Sequence, residues 1–427
     1  MKQVKYWLLI LIITGVTIEL SPFIISPVLY GHSFSRSKLK SELFRRQKVK
    51  PEEKEENKGV NQNNEYLGDH ILHPYLGFVS IPGNGYNRFG FPGPDPLTGK
   101  SHDTVNICLM GGSVALGLYH SSMNRLIAKL KKSKAFRKKE FKVIVFALGG
   151  FKQPQQLLAL NYFLSLGAHY DIVINLDGFN EIVLPYSDNL PFHVYPSYPR
   201  HWNIYSRKRL NTKVQLQLSK QLALKDEESK LAGLFIKNHF YYSNFGLFLW
   251  GILNNNKKLA LVQTEEKLRQ AISHSESDFQ STGPAETVTD TTRFFAKQAE
   301  LWRRASTLIN DIGKSEGFAY FHFLQPNQYY KNSKKLTKEE LQVAFEQGPF
   351  SYKTAVQKGY PFLVKNGKLL TGQGINFDDL TLMFKNETRT VYNDKCCHFN
   401  ELGYNLIADK ISGYIVNYFD RKKQPLN

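Results

Sequence analysis

A serine that follows two glycines at the end of an apolar run, and a histidine that follows an acid near the C-terminus, are the residues of this chain whose types suit nucleophilic chemistry. In GGSVALG, Gly111 and Gly112 let the backbone turn sharply and present the Ser113 hydroxyl where the run TVNICLM ends. A serine hydroxyl becomes a useful nucleophile only when a neighbouring base takes its proton. The segment NDKCCHFNELGYNLIADKI supplies His398 as that base, with Asp394 ahead of it to orient the ring. Two more turns offer donors to a developing oxyanion: the backbone N–H of Gly150 in GGFKQPQ, and the side-chain amide of Asn180 in DGFNE.

Other polar residues fit structural roles better. His322 lies inside the run FAYFHFL, where alternation points it into a packed layer as a satisfied core histidine. Asp177 and Glu181 flank Asn180 but show no ligand spacing with His398, so no metal and no cofactor is expected. The three cysteines, Cys108, Cys396 and Cys397, are too few for a disulfide framework and lack the CxxC spacing of a zinc site; Cys108 reads as a core residue. Asn386-Glu387-Thr388 fits the glycosylation sequon, a pattern too short to carry weight alone.

The elements that must position these residues are legible as short apolar runs. TVNICLM, KVIVFAL, DIVINLD and FAYFHFL, ending at Met110, Leu148, Asp177 and Leu324, are predicted core strands. A helical stretch from about Ser122 to Lys134 joins the first pair, and QPQQLLALNYFLSLG joins the second, with Pro154 in its first turn. This βαβαβ order predicts an α/β fold with a central parallel sheet, which places ligands at the carboxyl edge where the three turns converge. After His398, Asn400 is the expected N-cap of a helix whose apolar face includes Leu402, Leu406, Ile407 and Ile411.

Between these blocks the pattern changes. Residues 184–292 break the strand–helix alternation with aromatics, a helical stretch around Lys213 to Leu224 and a polar tract, and read as a largely helical insertion serving as a lid or as peripheral decoration. Residues 31–65 are dense in charge and amides and read as a flexible linker, leaving 66–427 as the main domain. Residues 1–30 hold the block YWLLILIITGVTI after Lys2 and Lys5 and read as a signal anchor or signal peptide. An uncleaved, single-pass membrane anchor is the expectation, since no A-x-A-like site follows. The signal-like start points to an extracytoplasmic domain, whereas Arg36, Lys38, Lys40, Arg45 and Arg46 point the other way by the positive-inside rule.

The formal charge of +19 is not accompanied by a zinc-finger, RRM or helix-turn-helix pattern, so no nucleic-acid partner is expected and the charge is read as general surface attraction. With 42% hydrophobic residues the chain can fill a sizeable core, which excludes a wholly disordered protein.

Taken together, GGSVALG, Gly150 in ALGGFKQ, GFN at Gly178 to Asn180 and DKCCHFN resemble, in order, the four sequence blocks of the SGNH (GDSL-like) hydrolase superfamily, over roughly Val105 to Ala408. NRFGFPGP is similar to a segment upstream of the nucleophile in some membrane-linked members. The resemblance implies a flavodoxin-like three-layer sandwich and a serine ester hydrolase acting on an acyl or acetyl ester of a small molecule, lipid or glycan. An O-acyltransferase acting on a glycan would use the same residues, and a noncatalytic glycan-binding module would use the same crevice. Two departures stand out: Gly112 replaces the usual aspartate, and Asp394 precedes His398 by one residue more than usual. The second leaves open whether Asp394 completes a triad or a Ser-His dyad leans on a backbone carbonyl.

Overall fold

The computed structural model describes residues 2–31, 33–47, 70–206, 212–273, 279–348 and 351–422. Contacts divide the chain into two compact units: residues 1–68 with 208–276, and residues 69–207 with 277–427.

The first unit is helical. It consists of α1 (Lys2–Tyr30), α2 (Arg36–Gln47) and the long helices that the insertion contributes, Thr212–Lys237 and Asn244–Ser273. Within α1, Leu9–Val28 is long and apolar enough to cross a membrane, and most of it is exposed. Glu19, near the middle of that stretch, accepts hydrogen bonds from the Ser243 hydroxyl and from the Asn244 amide that opens the second long helix. Residues 36–47, expected to lie in a linker, are helical instead. Phe34, Leu39 and Leu43 pack into a cluster with Phe235, Leu247, Phe248 and Trp250, so the apolar partners that stabilise α2 lie some 200 residues away and leave no local trace. Residues 48–65 of that expected linker fall outside the described residues.

The second unit carries the sheet. A hairpin of β1 (His70–His73) and β2 (Gly77–Ser80) precedes five parallel strands: β3 (Thr104–Gly111), β4 (Glu140–Ala147), β5 (Ile172–Asp177), β6 (Ala319–Leu324) and β7 (Asn376–Asp379). Their order across the sheet is β4-β3-β5-β6-β7, the flavodoxin-like 2-1-3-4-5 winding. All six residues of β5 are buried, as a central parallel strand covered on both faces requires. The helix at Ser113–Leu130 packs against the C-terminal helix Glu401–Lys422 as one layer. The helices Gln155–Ser165, Thr291–Glu316 and Ser351–Gly372 form the other. The α/β fold with a central parallel sheet is therefore the observed architecture, and the four predicted strands are all in it. The winding reverses between β3 and β5, which makes the crevice beyond their carboxyl ends the expected ligand site.

Candidate active site

Ser113 is the first residue of the helix that follows β3. Gly111 reaches this turn at φ +150, and a Cβ on it would sit 2.3 Å from the Leu176 carbonyl oxygen of β5. A Cβ on Gly112 would sit 2.1 Å from Asn180 Nδ2. A side chain at position 112 would have to displace the Asn180 amide, so glycine there lets that amide lie against the turn. The tight bend leaves the Ser113 hydroxyl at the sheet's edge, where its Oγ lies 2.7 Å from His398 Nε2, across 285 residues of sequence.

The extra residue before His398 is absorbed by a side-chain turn. Asp394 Oδ1 accepts the backbone N–H groups of Cys396 at 2.9 Å, Cys397 at 3.1 Å and His398 at 3.3 Å. Its other oxygen, Oδ2, is left to hydrogen-bond His398 Nδ1. One carboxylate thus shapes the loop and orients the ring. Burial pushes the Asp394 carboxyl up, but the His398 bond and the loop amides outweigh it and hold its pKa below the usual carboxylate value. Burial likewise opposes charge on His398, yet the bond and charge of Asp394 prevail and hold the imidazole above its ordinary value. Downstream, Asn400 Oδ1 accepts the Gly403 amide at 3.0 Å, the expected N-cap of the last helix.

The other two turns are built around Asn180 and Glu181. Asn180 donates from Nδ2 to the Phe151 carbonyl at 2.7 Å, which leaves one N–H of the amide beside Gly112. The buried Glu181 carboxylate accepts the amides of Gln153 at 3.0 Å and Gly178 at 2.8 Å, together with Gln156 Nε2 at 3.0 Å, and so ties the second turn to the third. Burial, reinforced by nearby Asp177, pushes its pKa up to about 8 despite those donors. Gly150 belongs to the second turn at φ +83, and Arg200 covers it: a Cβ there would meet Arg200 Cδ at 3.0 Å. Arg200 donates from Nε to Asp188 at 2.5 Å, so a short part of the expected insertion borders this turn. Lys152, fully buried, donates to the carbonyls of Pro196 and Tyr198 at 2.6 Å each, and burial lowers it to about 7 although Glu181 and Asp188 oppose the shift.

Of the residues singled out in the sequence, Ser113, His398 and Asp394 form one hydrogen-bonded path, and Asn180 contacts the turn that carries Ser113. His322 is completely buried, between Asp177 Oδ1 at 2.8 Å and Ser306 Oγ at 2.8 Å, with Trp302 also donating to Asp177. This Asp-His-Ser path is sealed in the core and structural, as expected of that histidine.

Searches found no matching family model and no matching curated protein. A solved structure from Bacteroides fragilis, described as a candidate acylhydrolase, is 11% identical with a TM-score of 0.31, over 76% of this chain and 90% of that one. A likeness of that size adds nothing to the geometry.

The supports of the histidine loop leave only a faint trace in the sequence. The segment after β6 runs QPNQYY, and three of its side chains reach that loop. Asn327 Nδ2 donates to the Cys396 carbonyl at 3.0 Å, Gln328 Nε2 to the Asp394 carbonyl at 2.9 Å and the Tyr329 hydroxyl to the Lys395 carbonyl at 2.8 Å. Glu340, buried and paired with Lys334 at 2.8 Å, accepts the amides of Val391 at 2.9 Å and Tyr392 at 3.1 Å. The density of amide side chains directly after a core strand was the available signal. NRFGFPGP has a comparable role: Asn87 Oδ1 accepts the Phe89 and Phe91 amides, and Phe91 packs on Phe151 of the second turn.

Proposed function

We propose that this chain is a serine ester hydrolase of SGNH type, acting on an acyl or acetyl ester of a small molecule, lipid or glycan. The observation that carries the reading is the unbroken path from the Asp394 carboxylate through both nitrogens of His398 to the Ser113 hydroxyl. In the proposed cycle Ser113 Oγ adds to the acyl carbonyl as its proton passes to His398 Nε2. The proposed donors to the resulting oxyanion are the Ser113 amide, which opens a helix, the Gly150 amide and the second N–H of Asn180. His398 then protonates the departing alkoxide, leaving an acyl ester on Ser113. Water, deprotonated by the same nitrogen, releases the acid and restores the serine. Asp394 stays ionised throughout, fixing the tautomer and stabilising the imidazolium.

The anchoring role proposed for α1 rests on its apolar stretch Leu9–Val28. We propose a single membrane pass for it, and the signal-like start after Lys2 and Lys5 is what supports an extracytoplasmic second unit.

The test is turnover of short activated acyl esters by the purified full chain. Ser113→Ala and His398→Ala should each lose ~10⁴-fold or more, since either change leaves no activated nucleophile. Undiminished turnover by folded Ser113→Ala protein would refute the reading. Repeating the assay with an oligosaccharide acceptor and following the acyl group separates hydrolysis from transfer.

A further inference from the structure

The histidine loop brings together more than a base and its partner. The Sγ atoms of Cys396 and Cys397 lie 3.1 Å apart, and the ligand atoms of Cys396, Cys397 and His398 all fall within 4.8 Å of one another. Adjacent residues are an unusual source of two thiols on one spot. Here the Asp394 turn, which gathers the three backbone amides onto one oxygen, holds them in that register.

We propose that Cys396, Cys397 and His398 Nε2 form a binding site for a thiophilic divalent cation such as Zn²⁺, and that metal and acyl substrate compete for the same imidazole nitrogen. With Nδ1–H directed to Asp394, Nε2 carries the free lone pair, and a carboxylate behind a ligating imidazole is the usual second partner of a zinc histidine. Ser113 Oγ lies 2.7 Å from Nε2, and that hydroxyl or a water would supply the fourth ligand. Around tetrahedral zinc, sulfur and nitrogen donors sit roughly 3.6–3.8 Å from one another, so the two thiols need to open by about 0.6 Å and the imidazole to close on them by up to about 1.2 Å. Cys396 is partly exposed and gives the ion a way in, whereas Cys397 is 1% exposed and shields it from water.

Binding releases both thiol protons: M²⁺ plus two thiols gives the bis-thiolate and 2 H⁺, leaving a metal–thiolate–imidazole group with no net charge. The ion thereby removes the base from Ser113. The inhibitory consequence rests on the hydrolase reading; the binding itself does not. The absence of CxxC spacing concealed this cluster, because the ligands are consecutive and a side-chain turn, not a knuckle, brings them together.

The test uses the full chain kept reduced. Co²⁺ should give a thiolate-to-metal charge-transfer band and the intense visible bands of four-coordination, both erased by equimolar Zn²⁺. Cys396→Ser and Cys397→Ser should each weaken the band, and the double variant should lose it. In parallel, Zn²⁺ should block fluorophosphonate labelling of wild type by at least ~10-fold, a chelator should restore it, and Cys396→Ser protein should label in zinc as it does without. A reduced, folded wild type with no thiolate band overturns the site. So does zinc inhibition that is equal in wild type and Cys396→Ser. The band without any labelling would leave the metal site standing and reject the hydrolase reading; labelling without the band would do the reverse.

Discussion

Asp394 reaches the His398 ring despite its distance in sequence. A carboxylate four residues before the histidine reaches Nδ1 because its other oxygen is satisfied by three loop amides. Asp394→Asn should therefore lower kcat by ~10³–10⁴-fold for a small ester, as the amide favours the wrong tautomer; a drop below tenfold would mean that a dyad operates. Asn180→Ala should cost about 10²-fold in kcat with KM little changed, because an oxyanion donor acts in the transition state. Gly112→Ala, whose Cβ would strike the same amide, should approach that loss with the catalytic groups intact. Steady-state kinetics check all three. Ser113, His398 and Asn180, which the structure brings together, stood out in the sequence because glycine-bearing turns and a helix start are local signals. Asp394 was ambiguous because the turn that decides it depends on backbone amides that sequence does not orient.

The elements reveal a different balance. The four long apolar runs became β3 to β6 with little shift of boundary, since buried parallel strands need near-continuous apolar residues. β7, with sequence NFDD, escaped notice: two aspartates are poor strand formers, and only pairing with β6 defines it. The loop from Thr390 to His398 has no regular structure of its own and is held by Glu340 and the QPNQYY segment. Burial raises the Glu340 carboxyl, but Lys334 and the backbone amides outweigh it and hold its pKa below the usual value. A depressed carboxylate adds stability that is fully present above the unfolded value, near 4.5, and lost as pH falls through the folded one. Thermal unfolding followed from pH 7 to below 4 should show this loss in wild type. Glu340→Gln should be less stable at pH 7 and should flatten that acid limb; an unchanged limb would remove Glu340 from the account.

At the scale of the whole molecule, the N-terminal region is both a candidate anchor and part of a folded unit. A local reading of residues 31–65 as a linker could not see that Leu43 is fully buried in the first unit's apolar cluster. This separates two truncations. A chain beginning at Ser33 lacks α1 but keeps α2, and should leave the membrane fraction as folded protein. A chain beginning near Glu65 loses Phe34 and Leu43 as well, uncovers the Trp250 cluster and should aggregate or bind a hydrophobic dye. Membrane fractionation and light scattering distinguish them, and retention of the Ser33 chain in membranes would show that α1 is not the sole attachment. The charge of +19 remained uninformative about function, because a surface charge specifies no chemistry without a site.

Whether Ser113 is an activated nucleophile is decided by labelling the folded full-length protein with a fluorophosphonate and mapping the adduct by peptide mass. One adduct is expected, on Ser113, absent from both Ser113→Ala and His398→Ala proteins because the serine must be present and its base must be too. Labelling that persists in Ser113→Ala, or a folded wild-type protein that takes up no label, would rule out Ser113 as the nucleophile.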